Sequence, residues 1–346
     1  MIFQQMFDPV SCTYTYVLAR RHGGEALIID PVFELVDLYV SLLERLDLRL
    51  VKAIDTHVHA DHVTGLGRLR DITKCVTVMG EMSGADVVSM RVCEDEKIDV
   101  DGIELRTLYT PGHTDDSYSF AGPDRVFTGD ALLIGGTGRT DFQNGDPRAG
   151  YDSLFNKLLK LPAGTLVFPA HDYNGNTAST IGYEATHNPR LQVNSADEYA
   201  DIMNNLNLPN PKLMDIAVPA NKAVGASLSQ YVNADEELDA EQCRNACEHE
   251  NVILVDLRED GERARDGWIP DSLHMPYNSL ASQLTPSGAL TRIAKDHQGH
   301  IVLYCAHGER SVLALDTMRN AGFSGVKHLK GGLKAWISSG GEVNRT

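Results

Sequence analysis

The sequence predicts an α/β protein of two domains. Three observations carry that prediction: β-rich runs alternate with helical patterns, a proline-bearing stretch interrupts the alternation once, and 346 residues exceed the roughly 100–200 typical of one domain. In the first part, "ALIIDPV" from Ala26, "VKAIDTH" from Val51, "CVTVMG" from Cys75, "RVFTGD" from Arg125 and "LVFPAH" from Leu166 read as buried strands. Between the first two lies "ELVDLYVSLLERL", whose Leu35, Leu38, Leu42 and Leu46 recur at helical spacing. From Asn204 to Gly225 the three prolines of "NNLNLPNPKLMDIAVPANKAVG" predict an extended, wrapping segment, assigned as 204–229. "ADEELDAEQCRNACEHE" then suits a helix opening a new unit, so the seam falls near residue 230 and the domains are expected to be 1–229 and 230–346. The second part alternates again: strand "VILVDLR", strand "HIVLYC", helix "RSVLALDTMRNAGF" stopped at Gly322, and strand "VKHLK".

Composition bounds the function. The chain is 42% hydrophobic and 23% charged, with no apolar run near the ~20 residues of a bilayer-spanning helix, so no membrane role is expected. The start, "MIFQQMFDPV", has neither the basic nor the long apolar region of a secretory signal, and a cytoplasmic or equally reducing location is expected. Cysteines 12, 75, 93, 243, 247 and 305 are scattered and do not resemble a disulfide framework, which predicts reduced thiols. Lys and Arg total 31 against 48 Asp and Glu, and the net charge of −17 disfavours nucleic acid as a partner. A small anionic substrate would need its own arginine or backbone amides to overcome that field. The sequence leaves oligomeric state open, a homo-oligomer included.

The stretch "THVHADH", Thr56 to His62, places three histidines and an aspartate within seven residues. His57 and His59 stand two apart at a strand exit and can project to one side. Asp61 and His62 follow in the turn. That density suits a divalent metal better than acid–base catalysis, which needs one or two such groups. His113 in "TPGHTDD", Asp130 in "VFTGD" and His171 in "VFPAH" each fall at or just beyond a predicted strand exit, where ligands from separate strands can converge. Spacing alone leaves one metal or two open.

The H-x-H-x-D-H motif followed by these residues resembles the metallo-β-lactamase superfold, which implies an αββα sandwich over residues 1 to about 225. Within it, "FDPVSCTYTY", "THVHADH", "GTGRTDFQNG", "AHDY" and "HNPRL" are most similar to the persulfide dioxygenases. That resemblance implies one Fe(II) per chain on His57, His113 and Asp130, a two-histidine, one-carboxylate face that leaves positions for O2 and a substrate sulfur. His59, Asp61, His62 and His171 are then outer-shell residues that orient ligands or hold water. The implied reaction oxidises glutathione persulfide to sulfite and glutathione. Arg139 and Tyr173 are implied on the glutathione side, while a salt bridge of Arg139 with Asp141 or Asp172 stays equally open. A two-metal thioester hydrolase of the glyoxalase II kind is the rival reading.

In "IVLYCAHGERSVLAL", Cys305 leaves a strand and precedes a helix, so loop amides, the helix N-terminus and Arg310 are expected to lower its thiol pKa. The loop reads C-x4-R and suits a persulfide sulfur. Together with "VILVDLRE" and "LKGGLKAW", it makes residues 240–346 resemble a rhodanese domain, which implies a central parallel sheet. The resemblance implies Cys305 as sulfur acceptor, Ala306, His307, Gly308, Glu309 and Arg310 as the persulfide cradle, and Asp256 and Arg258 as fold-setting residues. Trp268 and the Asp271-Ser272 pair depart from the family pattern without touching the loop. The implied partners are thiosulfate, sulfite and glutathione as co-substrate, with a non-catalytic sulfur carrier or sensing module as the alternative. Cys243 and Cys247, four apart on one helix face, are expected to pack.

Overall fold

A computed structural model describes every residue except 87, 207, 210–212, 225–231, 250, 298–299 and 346. The chain divides into two compact units, Met1–Gly225 and Ala226–Thr346. The seam expected at residues 229 and 230 lies outside the described residues.

Two six-stranded sheets build the first unit. One contains, in spatial order, Ile2–Asp8 (β1), Thr13–Ala19 (β2), Glu25–Ile29 (β3), Arg49–Ile54 (β4), Val76–Gly80 (β5) and Met90–Val92 (β6). The other contains Lys97–Val100 (β7), Ile103–Tyr109 (β8), Tyr118–Ala121 (β9), Arg125–Gly129 (β10), Leu166–Pro169 (β11) and Ser179–Thr180 (β12), also in chain order. All five strands read from the sequence are present. β3 to β6 pair in parallel, as do β10 and β11, so β4, β5, β10 and β11 share the geometry in which strand exits can gather.

Aromatic side chains join the two sheets. Phe3 and Tyr16 of the first meet Phe168 and Phe127 of the second at ring separations of 4.8 and 5.0 Å, each such pair contributing about 0.5–1.5 kcal/mol beyond its buried area. On the outer face of the first sheet, the helix Val36–Arg45 packs Val36, Tyr39, Leu42 and Leu43 against Val17, Ala26 and Ile28. Of the leucine series expected, Leu42 is buried and Leu35 and Leu46 pack part-buried against the same core, while Leu38 is 50% exposed and Tyr39 takes the inward position. Outside the second sheet, Leu154, Leu158, Tyr199 and Met203 cover Val126 and Val167. The layers are helix, sheet, sheet, helix.

The segment expected to be extended contains a helix, Met214–Ala223, with Pro219 inside it. Proline removes one N–H from the ladder, but burial of Ala217, Asn221 and Val224 against the first unit's core overrides that local penalty.

β10 and β11 slip register between Phe127 and Gly129, and Gly129 has φ +53°. A Cβ there would lie 2.8 Å from Thr56 Oγ1 and 2.9 Å from Thr56 Cβ. Gly129→Ala combines left-handed strain with that clash and is expected to cost about 1–3 kcal/mol, read as a lower urea midpoint. Because Thr56 and Asp130 flank the clash, the same change should disturb both.

The second unit holds one parallel sheet in the order Glu237–Leu238 (β13), Lys327–Leu329 (β17), His300–Tyr304 (β16), Val252–Asp256 (β14) and Leu273–His274 (β15). Before its first helix, Ala240–His249, come a 3-10 turn at Ala234–Glu236 and β13, so the helix begins later than expected. The helix Glu309–Asn320 follows β16, and Gly322, at φ +86°, lies two residues past its end. Asp256 and Arg258 are wholly buried and fork onto each other at 2.9 and 2.7 Å, and Arg258 also donates to the carbonyl of Gly267. Ser272 reaches Tyr304, whose hydroxyl donates to Asp256 at 2.9 Å. Of the expected packing cysteines, Cys243 is buried and Cys247 exposed.

Candidate metal centre and cysteine loop

Beyond β4 the chain turns through Asp55 to His62 with His57, His59 and His62 all buried. The His57 and His59 rings stand 4.2 Å apart. Thr56 Oγ1 donates to Asp30 Oδ2 at 3.0 Å, so it takes the Nδ1 proton of His57 at 2.9 Å. That chain assigns the tautomer and leaves the lone pair on His57 Nε2. His113 donates Nδ1–H to the carbonyl of Arg139 at 2.7 Å, and its Nε2 lies 3.6 Å from Asp130 Oδ2. One donor atom each from His57, His113 and Asp130 lies within 4.8 Å of the others.

Electrostatics favour the forms a metal needs. Burial, reinforced by His59, holds the His57 imidazole well below its ordinary value and hence neutral. Burial alone would raise the Asp130 carboxyl, but His171, which bonds it, holds it well below the ordinary carboxylate range. A neutral imidazole, a second imidazole whose Nδ1–H is taken by a carbonyl, and a carboxylate fit a divalent transition metal.

His59, Asp61, His62 and His171 form a second group of donors, also within 4.8 Å of one another. His171 spans two carboxylates, through Nδ1 to Asp130 Oδ1 at 2.6 Å and through Nε2 to Asp61 Oδ2 at 2.8 Å. Burial opposes its charge, yet those carboxylates push it well above its ordinary value. Thr13 Oγ1 donates to Asp61 at 3.2 Å and lies 3.3 Å from His62 Nδ1 and 3.1 Å from His171 Nε2. His59 Nε2 bonds Asp30 at 3.2 Å. His59 Nδ1 and His62 Nε2 are buried without a partner among the described residues.

Of the two residues expected at the glutathione side, Tyr173 is 69% exposed and stacks parallel to the His171 ring at 6.2 Å. Arg139 follows the salt-bridge alternative: it forks onto Asp141 at 2.6 Å twice and donates to the carbonyls of Pro209 and Leu208. Its guanidinium thus ties residues 208 and 209 to the stretch whose Arg139 carbonyl accepts the Nδ1–H of His113.

Cys305 follows β16 and is fully buried. The amide of Gly308, at φ +107°, donates to its sulfur at 3.1 Å. The lowered thiol pKa expected from the loop is overturned: burial raises it, Glu309 adds to that, and Arg310 with the Gly308 and Ser311 amides does not compensate. Arg310, the side chain that works to lower the thiol, forks onto Glu262 at 2.7 and 2.6 Å with both groups buried. Glu262→Ala would strand that guanidinium and is expected to cost about 3–5 kcal/mol in the denaturant transition of this unit. Burial favours neutral Glu262, but Arg310 prevails and holds the carboxyl below its ordinary value of 4.5. The pair's contribution is therefore present above that value and lost as acid titrates the folded carboxylate.

A family model described as the metallo-beta-lactamase superfamily matches residues 8–86 and 91–171, and one described as a rhodanese-like domain matches residues 239–339. The mouse protein named mitochondrial persulfide dioxygenase ETHE1 is 46% identical over 228 residues, covering 65% of this chain and 89% of that protein. The chain belongs to the persulfide dioxygenase family. Against the crystal structure of ETHE1 from Myxococcus xanthus, this family member has 50% identity and a TM-score of 0.64, covering 65% of this chain and 100% of that one. A Staphylococcus aureus metallo-beta-lactamase structure, at 22% identity and a TM-score of 0.61, covers 95% of this chain and 98% of its own and shares the fold alone. This member of the family thus carries a rhodanese-like domain after its metallo-β-lactamase fold, with candidate metal ligands in the first and a buried cysteine loop in the second. Among the described residues no helix is long and apolar enough to cross a membrane.

Sequence reasoning missed Thr13 and Asn221. Thr13 stands in the quoted "SCTYTY", but only the pairing of Tyr14 N–H with the Ala170 carbonyl brings it beside His171. Asn221 is more than 150 residues from the loop it touches, and nothing local marks it.

Proposed function

We propose that residues 1–229 oxidise glutathione persulfide with O2 at one iron(II) held by His57, His113 and Asp130, and that residues 230–346 move sulfane sulfur through Cys305. The observation that carries the first half is 46% identity to the mouse persulfide dioxygenase in a chain that gathers two imidazoles and a carboxylate. When bound, iron(II) supplies the electrons that activate dioxygen for transfer to the terminal sulfur. The persulfide, dioxygen and one water give glutathione, sulfite and two protons. Thr56 and the Arg139 carbonyl keep the Nδ1 protons of His57 and His113 turned away from the centre. His171, anchored by Asp61, fixes the rotation of Asp130. Tyr173, exposed beside the His171 ring, is the residue we assign to contact with the glutathione moiety.

In the second half, the Cys305 thiolate attacks the outer sulfur of thiosulfate, the S–S bond breaks and sulfite leaves, so that Cys305 carries a persulfide. Glutathione thiolate then takes the outer sulfur and restores Cys305. Run in reverse, the same steps consume glutathione persulfide and sulfite.

The test is elemental analysis of the full chain purified without added metal, with oxygen uptake on glutathione persulfide and assay of sulfite. About one iron per chain with stoichiometric sulfite supports the reading; two metals per chain and no oxygen uptake sink it. A second reading, a dinuclear thioester hydrolase, is favoured by one observation, the buried nitrogens of His59 and His62 that have no partner among the described residues. It requires release of D-lactate from S-lactoylglutathione.

A further inference from the structure

Asn221 lies on the helix Met214–Ala223 and is 2% exposed. Its Oδ1 accepts the N–H of Thr64 at 2.8 Å. Its Nδ2 donates one hydrogen to the carbonyl of His59 and the other to that of His62, both at 2.9 Å. A carboxamide offers two donor hydrogens on nitrogen and acceptor capacity on oxygen, and here both hydrogens and the oxygen are taken up by one loop. Aspartate would set a carboxylate against two carbonyls, and alanine would leave those carbonyls and a buried N–H without partners.

The helix bearing Asn221 is itself fixed. The amide of Asp86 donates to the carbonyl of Lys222 at 2.7 Å, and Ala217 and Val224 are fully buried. Two of the three groups that Asn221 grips are the backbone of the second and third histidines in "THVHADH", and Asp61 lies between them.

We propose that Asn221 is a positioning residue for the metal centre: its amide clamps the backbone of residues 59–64 from a remote helix and so sets the pose of the histidines on that loop. This rests on the metal-centre reading above. A role only in stability would lower the unfolding midpoint and leave the folded protein's metal affinity unchanged. Positioning instead predicts a loss of affinity and a changed ligand field.

The test titrates the metal-free full chain with cobalt(II), following its visible absorption, with chelator competition for affinity and release rate. Asn221→Ala is expected to weaken binding about 10–100-fold, speed release and alter the absorption bands. Asn221→Asp fills the same space without either donor and should behave alike, which keeps the proposal testable if the alanine variant fails to fold. Variants that fold and bind cobalt(II) with wild-type affinity, rate and spectrum overturn this inference alone. A wild-type chain that binds no cobalt(II) overturns the metal reading and this inference with it.

Discussion

Replacing His113 with alanine is expected to abolish both iron retention and oxygen uptake on glutathione persulfide, while His62→Ala keeps the metal and loses affinity only about 10–100-fold. The contrast follows from what each ring touches. His113 spends Nδ1 on the Arg139 carbonyl and brings Nε2 to the Asp130 carboxylate, so its deletion removes a donor from a set of three. His62 Nδ1 lies 3.0 Å from Asp61 Oδ2, and the ring belongs to the group that orients Asp61 and His171. Asp130→Asn should resemble His113→Ala, since the amide is neutral and would face His171 Nδ1 where the carboxylate now accepts. Iron content by elemental analysis and oxygen electrode traces on the same preparations decide the matter. Equal metal loss in His62→Ala and His113→Ala would sink the one-metal assignment, because it would make both rings ligands of comparable weight.

Much of this arrangement was legible in the sequence for a physical reason. Buried parallel strands read as continuous apolar runs, and their exits are marked by the first polar residue: Asp55 after β4, Asp130 after β10 and His171 after β11. The donors were therefore visible as types and positions. Spacing alone did not divide them into two groups, a division only the family resemblance supplied, because it depends on ring-nitrogen partners that come largely from elsewhere in the chain. Thr56 engages His57 locally, but a carbonyl from Arg139 engages His113 and a carboxylate from Asp30 engages His59. Arg139 illustrates the limit: its position near Asp130 was legible, but its commitment to Asp141 and two carbonyls depends on where residues 208 and 209 pass. The helix at Met214–Ala223 was hidden by Pro219, since local propensity pointed away from it and only tertiary burial of one face explains it.

Cys305→Ser is expected to reduce thiosulfate sulfurtransferase turnover to background and leave oxygen uptake on glutathione persulfide unchanged. The separation follows from the proposed chemistry, in which no step at His57, His113 or Asp130 uses the Cys305 sulfur. Burial raises the Cys305 thiol above its ordinary 9.0, so the thiolate is a minor form near neutral pH and transfer should accelerate as pH rises toward that value. The acid that works against the thiolate from inside the loop is Glu309. Glu309→Gln removes a negative charge beside the sulfur while nearly preserving shape, and should move the rate profile and the alkylation profile of Cys305 to lower pH together. An unaltered alkylation profile would mean that Glu309 does not govern the thiol, and that burial with the Gly308 and Ser311 amides sets its reactivity. Retained sulfurtransferase turnover in Cys305→Ser would remove the cysteine from the reaction altogether, and the buried loop would then be read as a carrier or sensing fold without chemistry of its own.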